Sequence, residues 1–160
     1  MLKKIAFGGG CHWCTEAIFQ ALKGVSRVEQ GYVASTGENS GFSEAVIIHF
    51  NPEAISLKRL IEIHLRTHNS TSNHSMRGKY RSAVYYFSSS QQEEAEKILQ
   101  ELQQKFKEKL ITRAFAFQNF RASREEIQNY YKKDPQKPFC KNYIDPKLKV
   151  LIEEFSENLK

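Results

Sequence analysis

Gly8-Gly9-Gly10-Cys11-His12-Trp13-Cys14-Thr15-Glu16 is the stretch on which the fold turns, because an apolar run ends there in three glycines and a helical pattern begins. Lys3 to Phe7 reads as a short strand. The glycines permit a sharp turn and a close approach, and Ala17-Ile18-Phe19-Gln20-Ala21-Leu22 carries helical spacing up to Gly24. Cys11 therefore falls at or beside a helix N-terminus, where unpaired N–H groups and the positive end of the helix dipole favour a thiolate. His12 follows it directly, but successive helical residues point in different directions, so His12 is not expected to serve Cys11 as a base.

Outward from this seat the pattern alternates. Val25 to Val33 is a strand, 34–41 a loop and Glu44 to Phe50 the next strand, broken by Asn51-Pro52. Leu57, Leu60, Ile61, His64 and Leu65 share one helix face, with Ser56 as cap. A polar loop over 69–79 feeds a strand at Tyr80 to Phe87. A helix is expected from Gln91 to Lys109, a strand from Ile111 to Phe117, and a helix from Ser123 to just before Asp134-Pro135. The chain then looks irregular from Gln136 to Asp145, around Cys140, and ends in a helix from Pro146 to Leu159. This order predicts an α+β fold, a ferredoxin-like split β-α-β sandwich with a mainly antiparallel sheet and a helical C-terminal extension, in one domain over 1–160.

The 160 residues carry 40% hydrophobic and 26% charged side chains, ordinary for a globular domain, and their apolar runs are too short to span a bilayer. Two lysines followed by so few apolar residues do not make a signal peptide, and a cytoplasmic location is expected. The net charge of +6 is spread along the chain with glutamates between the basic residues, so neither nucleic acid nor membrane is an expected partner. Three cysteines, an odd number, argue against a structural disulfide framework and for reactive or metal-binding thiols. Cys11 and Cys14 are spaced as a redox pair. As a metal site they would need further ligands, of which His12, His64, His68, His74 and Cys140 are available. Cys14 could also pack inward as a small apolar residue.

Gly10-Cys11-His12-Trp13 with Glu16 resembles the Gly-Cys-Phe-Trp segment and downstream Glu of the A-type peptide methionine sulfoxide reductases. Gly31-Tyr32, Ser43-Glu44-Ala45-Val46, Asn51-Pro52 with Ile55-Ser56, and Tyr80-Arg81-Ser82-Ala83-Val84-Tyr85-Tyr86 match the same family in order. The resemblance runs over the first two thirds of the chain and beyond Phe117 rests on Tyr130-Tyr131. It implies thiol-dependent reduction of methionine S-sulfoxide, protein-bound or free, by a monomer without cofactor or metal. In that reading Cys11 attacks sulfur, Glu44 in an apolar pocket gives a proton, Tyr32 and Tyr80 hydrogen-bond the oxygen, and Trp13 with His12 forms the methyl pocket. Cys14 or Cys140 then resolves the Cys11 sulfenic acid as a disulfide, which thioredoxin or a similar dithiol reduces.

The chain departs from the family pattern at three places. His12 replaces Phe, Cys14 replaces Gly, and the loop at 68–75 is short and lacks an aspartate expected near His74 or Ser75. Two other functions fit part of the pattern: a Cys-x-x-Cys thiol-disulfide oxidoreductase, which needs neither Glu44 nor the tyrosines, and a soft-metal-binding module.

Overall fold

The protein was analysed as a computed structural model that describes residues 2–72, 77 and 80–160. Four strands, β1 (Lys3–Gly8), β2 (Val25–Ala34), β3 (Ser43–Phe50) and β4 (Ala83–Tyr86), lie in the order β4-β1-β3-β2 with every neighbouring pair antiparallel. Helix α1 (His12–Gln20) connects β1 to β2 across β3, and α2 (Leu57–Thr67) connects β3 to β4 across β1. This is the split β-α-β arrangement expected. A third crossover, α3 (Ser89–Gln103), adds β5 (Arg113–Ala116) parallel to β4 at one edge.

β6 (Asn119–Ala122) pairs with β2 at the opposite edge, although only two residues separate it from β5. Those two residues tie the edges together. The Phe117 N–H donates to the Tyr86 carbonyl at 2.9 Å and the Gln118 N–H to the Ala34 carbonyl at 3.0 Å, so the sheet must curl. At Gly31 the approach of β6 is close enough that a Cβ would strike the Arg121 carbonyl and the Phe120 ring.

Side-chain alternation sorts the sheet into two cores. Ile5, Phe7, Val46, Ile48, Phe50 and Val84 face the helices and meet Ile18 and Phe19 of α1, Leu22 just beyond its end, Leu60 and Ile61 of α2, and Ile98 and Leu102 of α3. Ala6, Ala45, Ile47, Ala83 and Tyr85 line the inside of the curl, with Phe115, Phe117 and Phe120 against them. Glu44 precedes Ala45 and so shares the helix face with Val46; its strand partner Tyr32 shares that face.

Several boundaries differ from the sequence expectation, among them the last helix, which ends at Glu154 and not at Leu159. α3 stops at Gln103, six residues early, because Lys105 and Phe106 donate to Leu102 and Gln103 in a tighter turn that sends the chain back. The Tyr80–Phe87 strand shortens to Ala83–Tyr86, leaving Tyr80 in a bend. In place of one helix after Ser123 there is a 3₁₀ turn (Glu125–Ile127), a reversal at Asn129 with φ 57°, and a single turn α4 (Tyr130–Lys133). The segment around Cys140 is a π-helical turn (Cys140–Ile144) leading directly into α5 (Asp145–Glu154). No helix among the described residues is long and apolar enough to cross a membrane.

Candidate active site

Gly9 has φ +146°, and a Cβ on it would lie 2.5 Å from the His68 ring. That ring belongs to a support beneath the turn. His64 Nε2 lies 2.8 Å from the Gly8 carbonyl, His68 Nε2 lies 2.8 Å from Ser82 Oγ, and the two imidazoles stack at 4.1 Å. Burial pulls His64 down to about 3 and His68 well below its ordinary value. These histidines hold the glycine turn; His74 and Ser75 lie outside the described residues.

The support makes stability depend on pH. An unfolded histidine takes up a proton near pH 6.5, whereas folded His64 refuses it until about pH 3. Between those values the unfolded chain binds more protons, so acid favours unfolding. Urea unfolding at pH 5 should give a free energy about 2 kcal/mol lower than at pH 7 from His64 alone. Equal values would mean that His64 is not held neutral.

The turn delivers Cys11 to the N-cap of α1, with φ −59° and ψ 127°. The Cys14 and Thr15 N–H groups donate to its carbonyl at 3.1 and 3.2 Å. Its thiol is lowered to about 5, chiefly by a hydrogen bond from the Cys14 thiol, with help from His12 and the Trp13 N–H and against burial. The same hydrogen bond, with burial, pushes Cys14 strongly upward. The thiolate preference agrees with the sequence reading, but its main cause is a side chain. His12 departs from the sequence reading in one respect: because Cys11 has non-helical backbone angles, the helical divergence of neighbours does not apply, and a His12 ring nitrogen lies within 4.8 Å of the Cys11 sulfur and helps to hold its thiol low.

His12 is 4% exposed and Glu44 5%. The His12 N–H donates to Glu44 Oε1 at 3.1 Å, and Nδ1 lies 3.1 Å from the same oxygen without hydrogen-bond alignment. Tyr32 is half-buried and meets His12 edge-on at 5.2 Å. Cys11 Sγ, a His12 ring nitrogen and a Glu44 oxygen all lie within 4.8 Å of one another. On its other side Cys11 opens into a cavity of about 300 Å³ shared with Gly10, Cys14, Tyr80, Phe139, Tyr143 and Lys147.

The C-terminal third closes this cavity, and sequence reasoning missed how. The buried Glu16 carboxylate accepts from Gln30 Nε2 at 2.9 Å and from the Asn129 and Tyr130 N–H groups at 3.0 and 3.3 Å. That anchor sets Tyr130 flat on Trp13, with ring centres 4.3 Å apart, while Phe139 meets the indole edge-on at 5.1 Å. Trp13, expected as a cavity wall, is half-buried with Tyr130 on one face of its ring, and Phe139 and Tyr143 add apolar walls to the cavity beside Cys11. Lys147 donates to the Thr67 carbonyl, and its ammonium is disfavoured by burial. Cys140, expected in an irregular segment, is fully buried on the π turn in one apolar cluster with Cys14, and both are free thiols, as is Cys11.

An α+β sandwich with a thiolate at the head of a buried helix, a carboxylate and imidazole beside it and two further thiols at hand is a redox-active thiol enzyme site. The sequence model described as peptide methionine sulfoxide reductase matches residues 3–159, so the likeness extends through the C-terminal third, where the motifs alone fade. A peptide methionine sulfoxide reductase MsrA of Pasteurella multocida is 34% identical over 96% of this chain and 98% of its own, and one of Sulfolobus acidocaldarius 32% identical over 94% and 93%. Among solved structures, reduced Mxr1 of Saccharomyces cerevisiae matches with a TM-score of 0.75 at 26% identity, covering 87% of this chain and 89% of that one. Mxr1 in complex with Trx2 matches with a TM-score of 0.63 at 29% identity, covering 81% and 84%. The chain belongs to the peptide methionine sulfoxide reductase family and is an oxidoreductase.

Proposed function

We propose that the protein reduces methionine S-sulfoxide, within proteins and as the free amino acid, with Cys11 as nucleophile. The observation that carries this reading, in a chain of this family, is the grouping of the Cys11 sulfur, a His12 nitrogen and a Glu44 oxygen within 4.8 Å. Sulfoxide reduction needs a soft nucleophile at sulfur and a proton for the departing oxygen. Cys11 attacks as thiolate. Glu44, with His12 against it, supplies the proton, and Tyr32 and Tyr80 hydrogen-bond the oxygen from either side.

The S–O bond breaks, the sulfoxide sulfur gains two electrons and leaves as the thioether, and Cys11 loses two and keeps the oxygen as a sulfenic acid. A second thiol then displaces water to form a disulfide. Cys14 is favoured for this step because it already hydrogen-bonds Cys11; Cys140, in the same apolar cluster, can take the disulfide onward. A thioredoxin-like dithiol restores the thiols, in keeping with the Mxr1–Trx2 complex of the yeast relative. The enzyme acts as a cytoplasmic monomer, and Phe139 and Tyr143 hold the methyl end of the substrate.

The test is consumption of the separate S and R epimers of N-acetyl methionine sulfoxide with dithiothreitol as reductant. Loss of the S epimer alone is expected. Turnover of neither would sink the reading and leave thiol exchange in front.

A further inference from the structure

His12 brings a second capacity to the site. Its Nε2 lies 3.3 Å from Ser123 Oγ, while Nδ1, fully buried, has no hydrogen-bond partner and faces Glu44. Metal-bound imidazoles are held in this manner: one nitrogen bonds a neighbouring oxygen, which fixes the tautomer, and the other keeps its lone pair for the ion. The donor set is compact, since Cys11 Sγ, the His12 nitrogen and the Glu44 oxygen lie within 4.8 Å of one another. A tetrahedral zinc ion with bonds of about 2.0 Å to nitrogen or oxygen and about 2.3 Å to sulfur spaces such donors roughly 3.3 to 3.5 Å apart, so the three need to adjust by at most about 1.3 Å.

The charges also match. A thiolate, a carboxylate and a neutral imidazole carry two negative charges, which neutralise a divalent cation where an unbalanced charge would be costly. Cys11, lowered to about 5, is already in the ligand form at neutral pH. A phenylalanine at position 12 would remove one of the three donors.

The geometry points to a zinc-binding site formed by the Cys11 thiolate, His12 Nδ1 and the Glu44 carboxylate, with water in the fourth position, which reversibly blocks the nucleophile. No electrons move: zinc replaces whatever protons the ligands hold, and a bound Cys11 cannot attack a sulfoxide. The half-buried Lys147 ammonium in the adjoining cavity opposes the ion and limits its affinity. Only the inhibitory consequence rests on the reductase reading; binding does not.

Anaerobic titration of the reduced protein with Co²⁺ reads the ligands directly. A thiolate-to-cobalt charge-transfer band and four-coordinate d–d bands should saturate at one equivalent and disappear in Cys11→Ser. Affinity should fall about tenfold or more in His12→Phe and in the isosteric Glu44→Gln, and persist in Cys14→Ser. Zn²⁺ should displace the cobalt and inhibit S-epimer reduction, with relief by EDTA. Far-UV circular dichroism guards against misfolding of His12→Phe, and His12→Gln is the second variant at that position. A cobalt spectrum indifferent to position 12, or lost in Cys14→Ser, overturns the proposal in favour of a Cys11–Cys14 chelate, and absence of cobalt binding overturns it outright. Were the reductase reading wrong, the cobalt spectrum would stand with no activity to inhibit; were the zinc reading wrong, S-epimer reduction would continue at stoichiometric zinc.

Discussion

Cys11→Ser is expected to lower S-sulfoxide reduction by on the order of 10⁴-fold or more, leaving the fold intact. The loss has two physical sources. Serine stays protonated at neutral pH where the thiol, lowered to about 5, is ionised. Its oxygen also cannot complete the reaction, because accepting the sulfoxide oxygen would create a weak O–O bond in place of the S–O bond of a sulfenic acid. The wild-type thiolate can be checked without substrate: iodoacetamide should alkylate Cys11 with a midpoint near pH 5, as against about 8.5 for an ordinary cysteine. A midpoint near 8 would mean that Cys14 and His12 do not stabilise the thiolate, and activity surviving in Cys11→Ser would move the nucleophile elsewhere.

The half of the molecule that carries this cysteine was legible in the sequence because its signals are local. β1 ends at a glycine, α1 starts directly after the turn, and the alternation in β3 puts Val46 and Ile48 on one face and Ala45 and Ile47 on the other. Ser56 caps α2 as its residue type suggests, accepting from the Arg59 N–H at 3.0 Å. β6 had no such signal. Asn119-Phe120-Arg121-Ala122 is short and polar, and it is a strand only because the curl of the sheet brings it against the free edge of β2. Composition likewise carried the expected α3 too far, since Gln104, Lys105 and Phe106 suit a helix whose end is set by where the chain must turn.

The site divides in the same way. Cys11 was placed by its glycines, and Glu44 and Tyr32 share a face because they are strand partners, a pairing that follows once the sheet order is known. The contact between Cys11 and His12 depends on one residue lying outside helical geometry, which spacing rules cannot supply. Phe139, Tyr143 and Lys147 enter the cavity through an anchor, Glu16 on the Asn129 and Tyr130 N–H groups, that spans more than a hundred residues. The buried Glu16 was visible as a motif residue, and nothing local said that its role is to seat the C-terminal segment.

Glu44→Gln separates sulfoxide reduction from plain thiol exchange and should lower kcat by a factor of about 10² to 10⁴, the usual worth of a positioned acid. Glutamine keeps the size of the side chain and an oxygen that can still accept the His12 N–H, now 3.1 Å from Glu44 Oε1, so the turn and α1 should hold. It cannot give up a proton to the sulfoxide oxygen. KM should change little, since Phe139 and Tyr143, the apolar side chains of the cavity beside Cys11, are untouched by the substitution. Disulfide exchange through Cys11 and Cys14 needs no acid at that position, so reaction of the reduced variant with an aromatic disulfide should stay within a few-fold of wild type. If both activities fell together, Glu44 would be acting through the Cys11 environment and not on the oxygen. If neither fell, the proton would have to come from His12 or from water, and the carboxylate would be left with only the structural task of holding the first residue of α1.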